Sequence, residues 1–183
     1  METLVLLLGG NKGNTSELFS QAEKLLVENF GEIINQSSLY ESQPWGFEAQ
    51  QWFLNKIVCF QYKGQPPFEI LRDCLGIETL LGRERNIDSA GYESRNIDID
   101  ILFIGNEVIN EKELQIPHPR LHERRFTLNP LHEIMPEFIH PTIGLTTTEL
   151  LNHCSDKGIV RIYKIRTSGS NSIPNSSLTD SLI

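Results

Sequence analysis

The stretch Asn96-Ile97-Asp98-Ile99-Asp100-Ile101 constrains this chain more than any other. A β-strand repeats every two residues, so Ile97, Ile99 and Ile101 share one face and Asp98 and Asp100 the other. The isoleucine face demands a core to lie on. The acidic face holds two neighbouring carboxylates that repel each other, and they stay ionised most easily with a cation beside them. Magnesium takes oxygen ligands and keeps waters and phosphate oxygens in its shell. The pair therefore suits one or two Mg2+ ions bridging to a triphosphate. Taken alone, the pattern equally describes the polar side of a solvated strand.

The surrounding chain predicts a mixed α+β domain. Thr3–Gly9 is a continuous apolar run that reads as a buried strand. A helix is expected from about Thr15, with Asn14 as N-cap, Glu17 in its first turn, an apolar face of Leu18, Ala22, Leu25, Leu26 and Phe30, and Gly31 at its end. Ile33–Glu41 and Trp52–Tyr62 read as two strands, separated by a loop around Pro44-Trp45-Gly46-Phe47. Pro66–Leu81 predicts a second helix with Phe68, Leu71, Leu75 and Leu81 inward, closed by Gly82. After the Asn96–Ile104 strand, Gly105-Asn106 turns the chain into a short partner strand near Val108. Brief helices between Pro117 and Pro141, a helix from Thr148 to His153 and a last strand over Gly158–Ile165 complete the reading. Strand, helix, strand, strand, helix, strand is the ferredoxin-like order, an antiparallel sheet with helices packed on it. One domain over residues 1–166 is expected. Thr167–Ile183, dominated by serine, threonine and asparagine, reads as a disordered tail.

Charge decides what the acidic pair has for company. The formal net charge is −8, which argues against a protein that coats nucleic acid or an anionic membrane. Yet Arg83, Arg85 and Arg95 precede the Asp98 strand, and Arg120, Arg124 and Arg125 follow it beside His118. The guanidinium fork matches phosphate geometry and keeps its charge. Any single one of these arginines can equally be a surface ion pair. The three cysteines, Cys59, Cys74 and Cys154, have no paired spacing and read as buried, inert thiols in a reducing compartment. The apolar run after Met1 lacks a basic lead and is too short to span a membrane, so the cytoplasm is the expected location. His118 and His122 lack the frame of a zinc site.

Several separated motifs, in order, carry a specific resemblance. They are Leu8-Gly9-Gly10-Asn11, Ser42-Gln43-Pro44-Trp45-Gly46, Phe53-Leu54-Asn55, Ser94 to Phe103, Ile116-Pro117-His118-Pro119-Arg120-Leu121 and Arg124-Arg125-Phe126. Together they resemble the 6-hydroxymethyl-7,8-dihydropterin pyrophosphokinases from about Thr3 to about Ile165. The resemblance implies transfer of the β,γ-diphosphoryl group of ATP to the pterin hydroxymethyl oxygen, with release of AMP. It places the product before dihydropteroate synthase in folate biosynthesis, and a monomer is expected.

By motif position, the resemblance implies that Asp98 and Asp100 hold two Mg2+ ions. It implies that Arg83 and Arg95 act on the triphosphate, with Arg85 as a possible third, and that His118 and Arg124 contact ATP. Asn55, with Ser42, Gln43 and Trp45, is expected to read the pterin edge, and Phe53 and Phe126 to stack on its ring. From composition alone, both phenylalanines are equally well explained by core packing. The chain departs from the family pattern in three places: Gly10 replaces a serine, Phe53 replaces a frequent tyrosine, and the loop before Arg95 lacks its tryptophan, with Tyr92 nearby. A lid that closes over the site is expected in that loop. The departures leave open a module that binds pterin without catalysis. A nucleotidyl transferase using the same acidic pair would release pyrophosphate instead of AMP.

Overall fold

A computed structural model describes residues 2–45, 51–83 and 96–164. The central sheet is built from β1 (Thr3–Gly10), β2 (Ile33–Gln36), β3 (Tyr40–Ser42), β4 (Phe53–Gln61), β5 (Asp98–Ile104) and β8 (Val160–Ile162). Its order is β5-β1-β4-β3-β8, with β2 also on β4, and every pairing is antiparallel. Helices α1 (Thr15–Phe30) and α2 (Pro67–Leu80) are the crossovers that return the chain to this sheet. This is the ferredoxin-like arrangement, extended at one edge by β8.

Alternation explains β1 and β5. Leu4 to Leu8 are all buried, because β1 is an inner strand covered on both faces. The strand expected from Asn96 begins at Asp98; Ile97 just before it and Ile99 and Ile101 within it are buried, while Asp98 and Asp100 remain partly accessible. The core beneath α1 is closed by Phe30 against Phe60, edge to face at 5.7 Å between centroids.

Several local expectations are corrected. The strand expected over Ile33–Glu41 divides into β2 and β3. At the break, Ser37 Oγ accepts the Ile57 N–H at 2.9 Å and Ser37 N–H donates to Ile57 O at 3.0 Å. A side-chain hydroxyl thus replaces a ladder acceptor, and the strand kinks without leaving β4. In α1 the side chain of Asn14 makes no cap bond, and Phe19 rather than Leu18 is buried. In α2 the buried face is Ile70, Cys74, Ile77 and Glu78, at i, i+4, i+7 and i+8, and Phe68 is 46% exposed. Leu71 and Leu75 lie on the flank of that face, half-buried. Val108 is exposed. The strand near it is β6 (Ile109–Asn110), which pairs with β7 (Gln115–Ile116) in a separate ribbon rather than with β5.

Downstream, a 3-10 turn (Leu121–Glu123) leads into α3 (Arg125–Ile134), and α4 (Thr147–His153) follows. Helix α4 opens with a capping box between Thr146 and Glu149. The last strand is shorter than Gly158–Ile165 and adds to β3. No described helix is long and apolar enough to cross a membrane.

Candidate active site

Strand register assembles the floor of the site. Gly9 pairs with Asp98 on one side and with Asn55 on the other, and Asn55 pairs with Tyr40. Asp98, Gly9 and Asn55 therefore form one row across three strands, with Asp100 and Leu7 in the next row on the same face. Glycine at position 9 keeps this floor low. A Cβ there would touch Asn55 Oδ1 at 3.8 Å and Asp98 Cβ at 4.0 Å.

Two cavities open on this floor. The smaller, about 70 Å³, is walled by Ser42, Gln43, Trp45, Phe53, Asn55 and Phe126, with Arg124 beside them. The larger, about 340 Å³, is bounded by Leu71, Leu75, Glu78, Arg83 and His118, and by the 112–115 segment. Asp98 and Asp100 line both. The acidic pair is the partition between an aromatic slot and a wider polar cleft that carries Arg83 and His118.

In the slot, the buried Asn55 amide donates from Nδ2 to Ser42 Oγ at 2.9 Å. That bond fixes the amide plane and turns Oδ1 towards Gly9. Gln43 lines the slot but is also tied elsewhere. Its Oε1 accepts the Ile159 N–H at 3.0 Å, and its own N–H donates to Ile159 O at 3.1 Å. Arg124 is buried and lies over two rings, its guanidinium 4.9 Å from the Trp45 centroid and 5.5 Å from that of Phe126. The structure thus places Arg124 in the aromatic slot, not in the larger cleft. The slot's volume is well under the several hundred Å³ typical of ligand sites.

In the cleft, Arg83 pairs with Asp98 Oδ1 and with Glu78 Oε2, the latter at 2.5 Å. Burial works against the guanidinium charge, but the two carboxylates outweigh it and raise its pKa further. Glu78 is 1% exposed, and burial together with the Asp98 charge raises its pKa above the usual carboxylate range. His118 Nδ1 accepts the Arg120 N–H at 3.1 Å. The ring proton therefore sits on Nε2, as a donor. Burial and the Arg124 charge push the His118 pKa down to about 4, so the ring is neutral at ordinary pH. Asn96 Nδ2 donates to Gly82 O at 3.1 Å and clamps together the chain on either side of residues 84–95.

Of the expected site residues, the structure gathers Asp98, Asp100, Arg83, His118, Arg124, Ser42, Gln43, Trp45, Phe53, Asn55 and Phe126 around the two cavities. Arg85, Arg95, Tyr92 and Phe47 lie outside the described residues, as does the 167–183 tail. Sequence reasoning missed Glu78. The leucine pattern pointed to another face of α2, and only the burial of Ile70, Cys74 and Ile77 puts position 78 on the core side. Cys59, Cys74 and Cys154 are buried free thiols, and burial pushes Cys59 up to about 12. Such thiols are inert.

The donor set fits magnesium. Two aspartates on one face supply hard oxygen ligands, and among the described residues no group of three or more His, Cys, Asp or Glu forms a cage. An ion held there would complete its shell with water and phosphate, as Mg2+ does.

Fold and cavities together define an α+β protein that sets an acidic pair between an aromatic slot and a wider polar cleft. Comparison with known proteins narrows this class. The family model of 7,8-dihydro-6-hydroxymethylpterin-pyrophosphokinase matches residues 5–136. The chain is 42% identical over 142 residues to the 2-amino-4-hydroxy-6-hydroxymethyldihydropteridine pyrophosphokinase of Aquifex aeolicus, covering 77% of this chain and 85% of that protein. It is 36% identical over 142 residues to the Porphyromonas gingivalis protein of the same name, covering 77% of this chain and 95% of that one. It is also 36% identical over 159 residues to the folic acid synthesis protein fol1 of Pneumocystis carinii, covering 86% of this chain but only 21% of that longer protein. The crystal structure of Plasmodium falciparum HPPK-DHPS with pteroate superposes with a TM-score of 0.65 at 20% identity, over 82% of this chain and 44% of that one, and shows the shared fold. The chain belongs to the 7,8-dihydro-6-hydroxymethylpterin-pyrophosphokinase family.

Proposed function

We propose that this protein transfers the β,γ-diphosphoryl group of ATP to the hydroxymethyl oxygen of 6-hydroxymethyl-7,8-dihydropterin, a step of folate biosynthesis. The hydroxymethyl oxygen forms a bond to the β-phosphorus, the bond from that phosphorus to the α,β-bridging oxygen breaks, and AMP leaves. The hydroxyl proton goes to solvent. Family membership supports the reaction class. The observation that carries the assignment to this site is that Asp98 and Asp100 line both cavities. A pterin in the slot and a triphosphate in the cleft would meet across them.

Each side chain has a role in this reading. Phe53 and Phe126 supply faces for the flat ring. Asn55, oriented by Ser42, presents an amide oxygen to the ring edge, and Gln43 and Trp45 close the slot. Arg83 and the Nε2–H of His118 point positive charge and a neutral donor at the cleft, where charge builds on phosphoryl oxygens. Arg124, next to the acidic pair, is within the same charged field. Arg85 and Arg95 are proposed for the same task. Asp98 and Asp100 would hold Mg2+, two ions in this proposal, whose chemistry is to neutralise the triphosphate and hold it in line. The rest is positioning, which needs no Ser–His or Cys–His pair.

The same proposal includes a single domain over 1–166 with a 167–183 tail, a monomer, and delivery of the product to a dihydropteroate synthase. The buried free thiols support a reducing, cytoplasmic setting. The test is an assay of purified protein with ATP, Mg2+ and hydroxymethyldihydropterin. AMP and pterin diphosphate in equal amounts are expected, and only when pterin and metal are both present. ADP as product, or pterin binding with no AMP, overturns the proposal.

A further inference from the structure

Among the described residues, Glu78 is the one carboxylate buried in the core, and the proposed reaction gives it no task. It projects from α2 towards β5, and its two oxygens are engaged differently. Oε1 accepts the backbone N–H of Ile99 at 2.8 Å. Oε2 pairs with Arg83 at 2.5 Å. Ile99 is the residue between Asp98 and Asp100. Strand β5 is a sheet edge, so its outward N–H groups have no neighbouring strand to receive them. Glu78 supplies the missing acceptor at the point where the acidic pair is mounted. The same carboxylate grips the arginine that also pairs with Asp98.

Packing alone does not account for this residue. Burying a carboxylate is costly, and a leucine-sized apolar group would close α2 on β5 with no such penalty. What glutamate adds is two directional acceptors at fixed separation. One holds backbone and the other holds a guanidinium. Because Ile99 N–H and Arg83 share one rigid anchor, the Asp98 and Asp100 carboxylates and the Arg83 charge are set in a single frame.

We propose that Glu78 is a positioning residue, which fixes the backbone between Asp98 and Asp100 and the placement of Arg83 beside them, and so sets how metal and triphosphate are received. The inference rests on the proposed diphosphoryl transfer. Glu78→Gln is the informative substitution, since the amide oxygen still accepts from Ile99 while the carboxylate charge that faces Arg83 is lost. The expected result is a kcat at least about tenfold lower and a several-fold higher Mg2+ concentration at half-maximal rate. Binding of pterin alone should stay within about twofold, and the circular dichroism spectrum should not change. An active parent with a Gln variant matching it in kcat and Mg2+ dependence overturns the positioning role, even if the melting temperature falls. An inactive parent instead overturns the transfer reading.

A second measurement uses the unaltered protein, so it stands whether or not the variant folds. Amide exchange at Ile99 is followed with and without Mg2+ and a non-hydrolysable ATP analogue. The anchor predicts protection in both states. Loss of protection on binding means that Glu78 releases the strand, and it overturns the proposal.

Discussion

A Cβ on Gly10 would collide with the carbonyl oxygen of Asn96 and stand 3.0 Å from Thr15 Cγ2. The end of β1 and the residue that leads into the acidic strand are therefore in direct backbone contact. Only the lack of a side chain at position 10 permits this. Because the obstacle is a backbone carbonyl, no rotamer change relieves it. A side chain at position 10 therefore requires the Asn96 carbonyl to move away from β1.

Gly10→Ser should push Asn96 away and disturb Asp98 two residues later. Overpacking of this kind costs about 1–3 kcal/mol. Urea unfolding should show that loss, and turnover should drop with it. Unchanged stability together with unchanged turnover would show that the Asn96 backbone gives way freely.

Asn55→Ala removes the amide that bridges Ser42 and the slot. A buried polar partner left unsatisfied costs about 1–3 kcal/mol. Pterin affinity, measured by calorimetry, should fall about tenfold or more. Nucleotide affinity should hardly move, because Asn55 lines the slot and not the cleft. Equal losses for both ligands would argue that Asn55 supports the sheet rather than the pterin.

Asp98→Asn and Asp100→Asn keep size and shape but remove the charge that would hold the metal. Each should lower the AMP-release rate by at least about 10²-fold, the scale of losing a principal electrostatic group. Chelation of metal in the parent should stop the reaction, and added Mg2+ should restore it. Either variant retaining activity within a few-fold of the parent would remove that aspartate from the metal site.

His118 gives a pH prediction for the ligand-free protein. Its folded value of about 4 lies below the ordinary 6.5, so the unfolded chain takes up this proton first as pH falls. The neutral ring's contribution to stability is thus complete above about pH 6.5 and declines as pH drops towards 4. Chemical denaturation across that window should show a shallower pH dependence for His118→Gln than for the parent. Parallel profiles would mean that His118 titrates as an ordinary exposed histidine.

The local patterns that proved legible are those whose meaning depends on near neighbours. The Ile/Asp alternation pointed to a two-faced strand, which the structure has from Asp98 rather than Asn96, since the pleat fixes side-chain direction at every second residue. The apolar run of β1 read as buried for the same kind of reason. Helix α2 was harder. Leu71 and Leu75 lie on the flank that lines the cleft, while the core face carries Ile70, Cys74, Ile77 and a glutamate. A pattern of polar and apolar letters assigns glutamate to solvent. The split between β2 and β3 was equally hidden, because it depends on a Ser37 hydroxyl replacing a ladder acceptor on β4.

By itself, the sequence determined that Asp98 and Asp100 share a face, that arginines flank them on both sides, and that the strand order is ferredoxin-like. Tertiary structure alone decided that Gly9 and Asn55 share a row with Asp98, that Arg124 lies over Trp45 in the slot, and that Glu78 anchors both Ile99 and Arg83. The physical reason is range. Side-chain direction along a strand is set by its own backbone, whereas register across strands and the approach of a helix to a sheet edge are set by packing between distant segments.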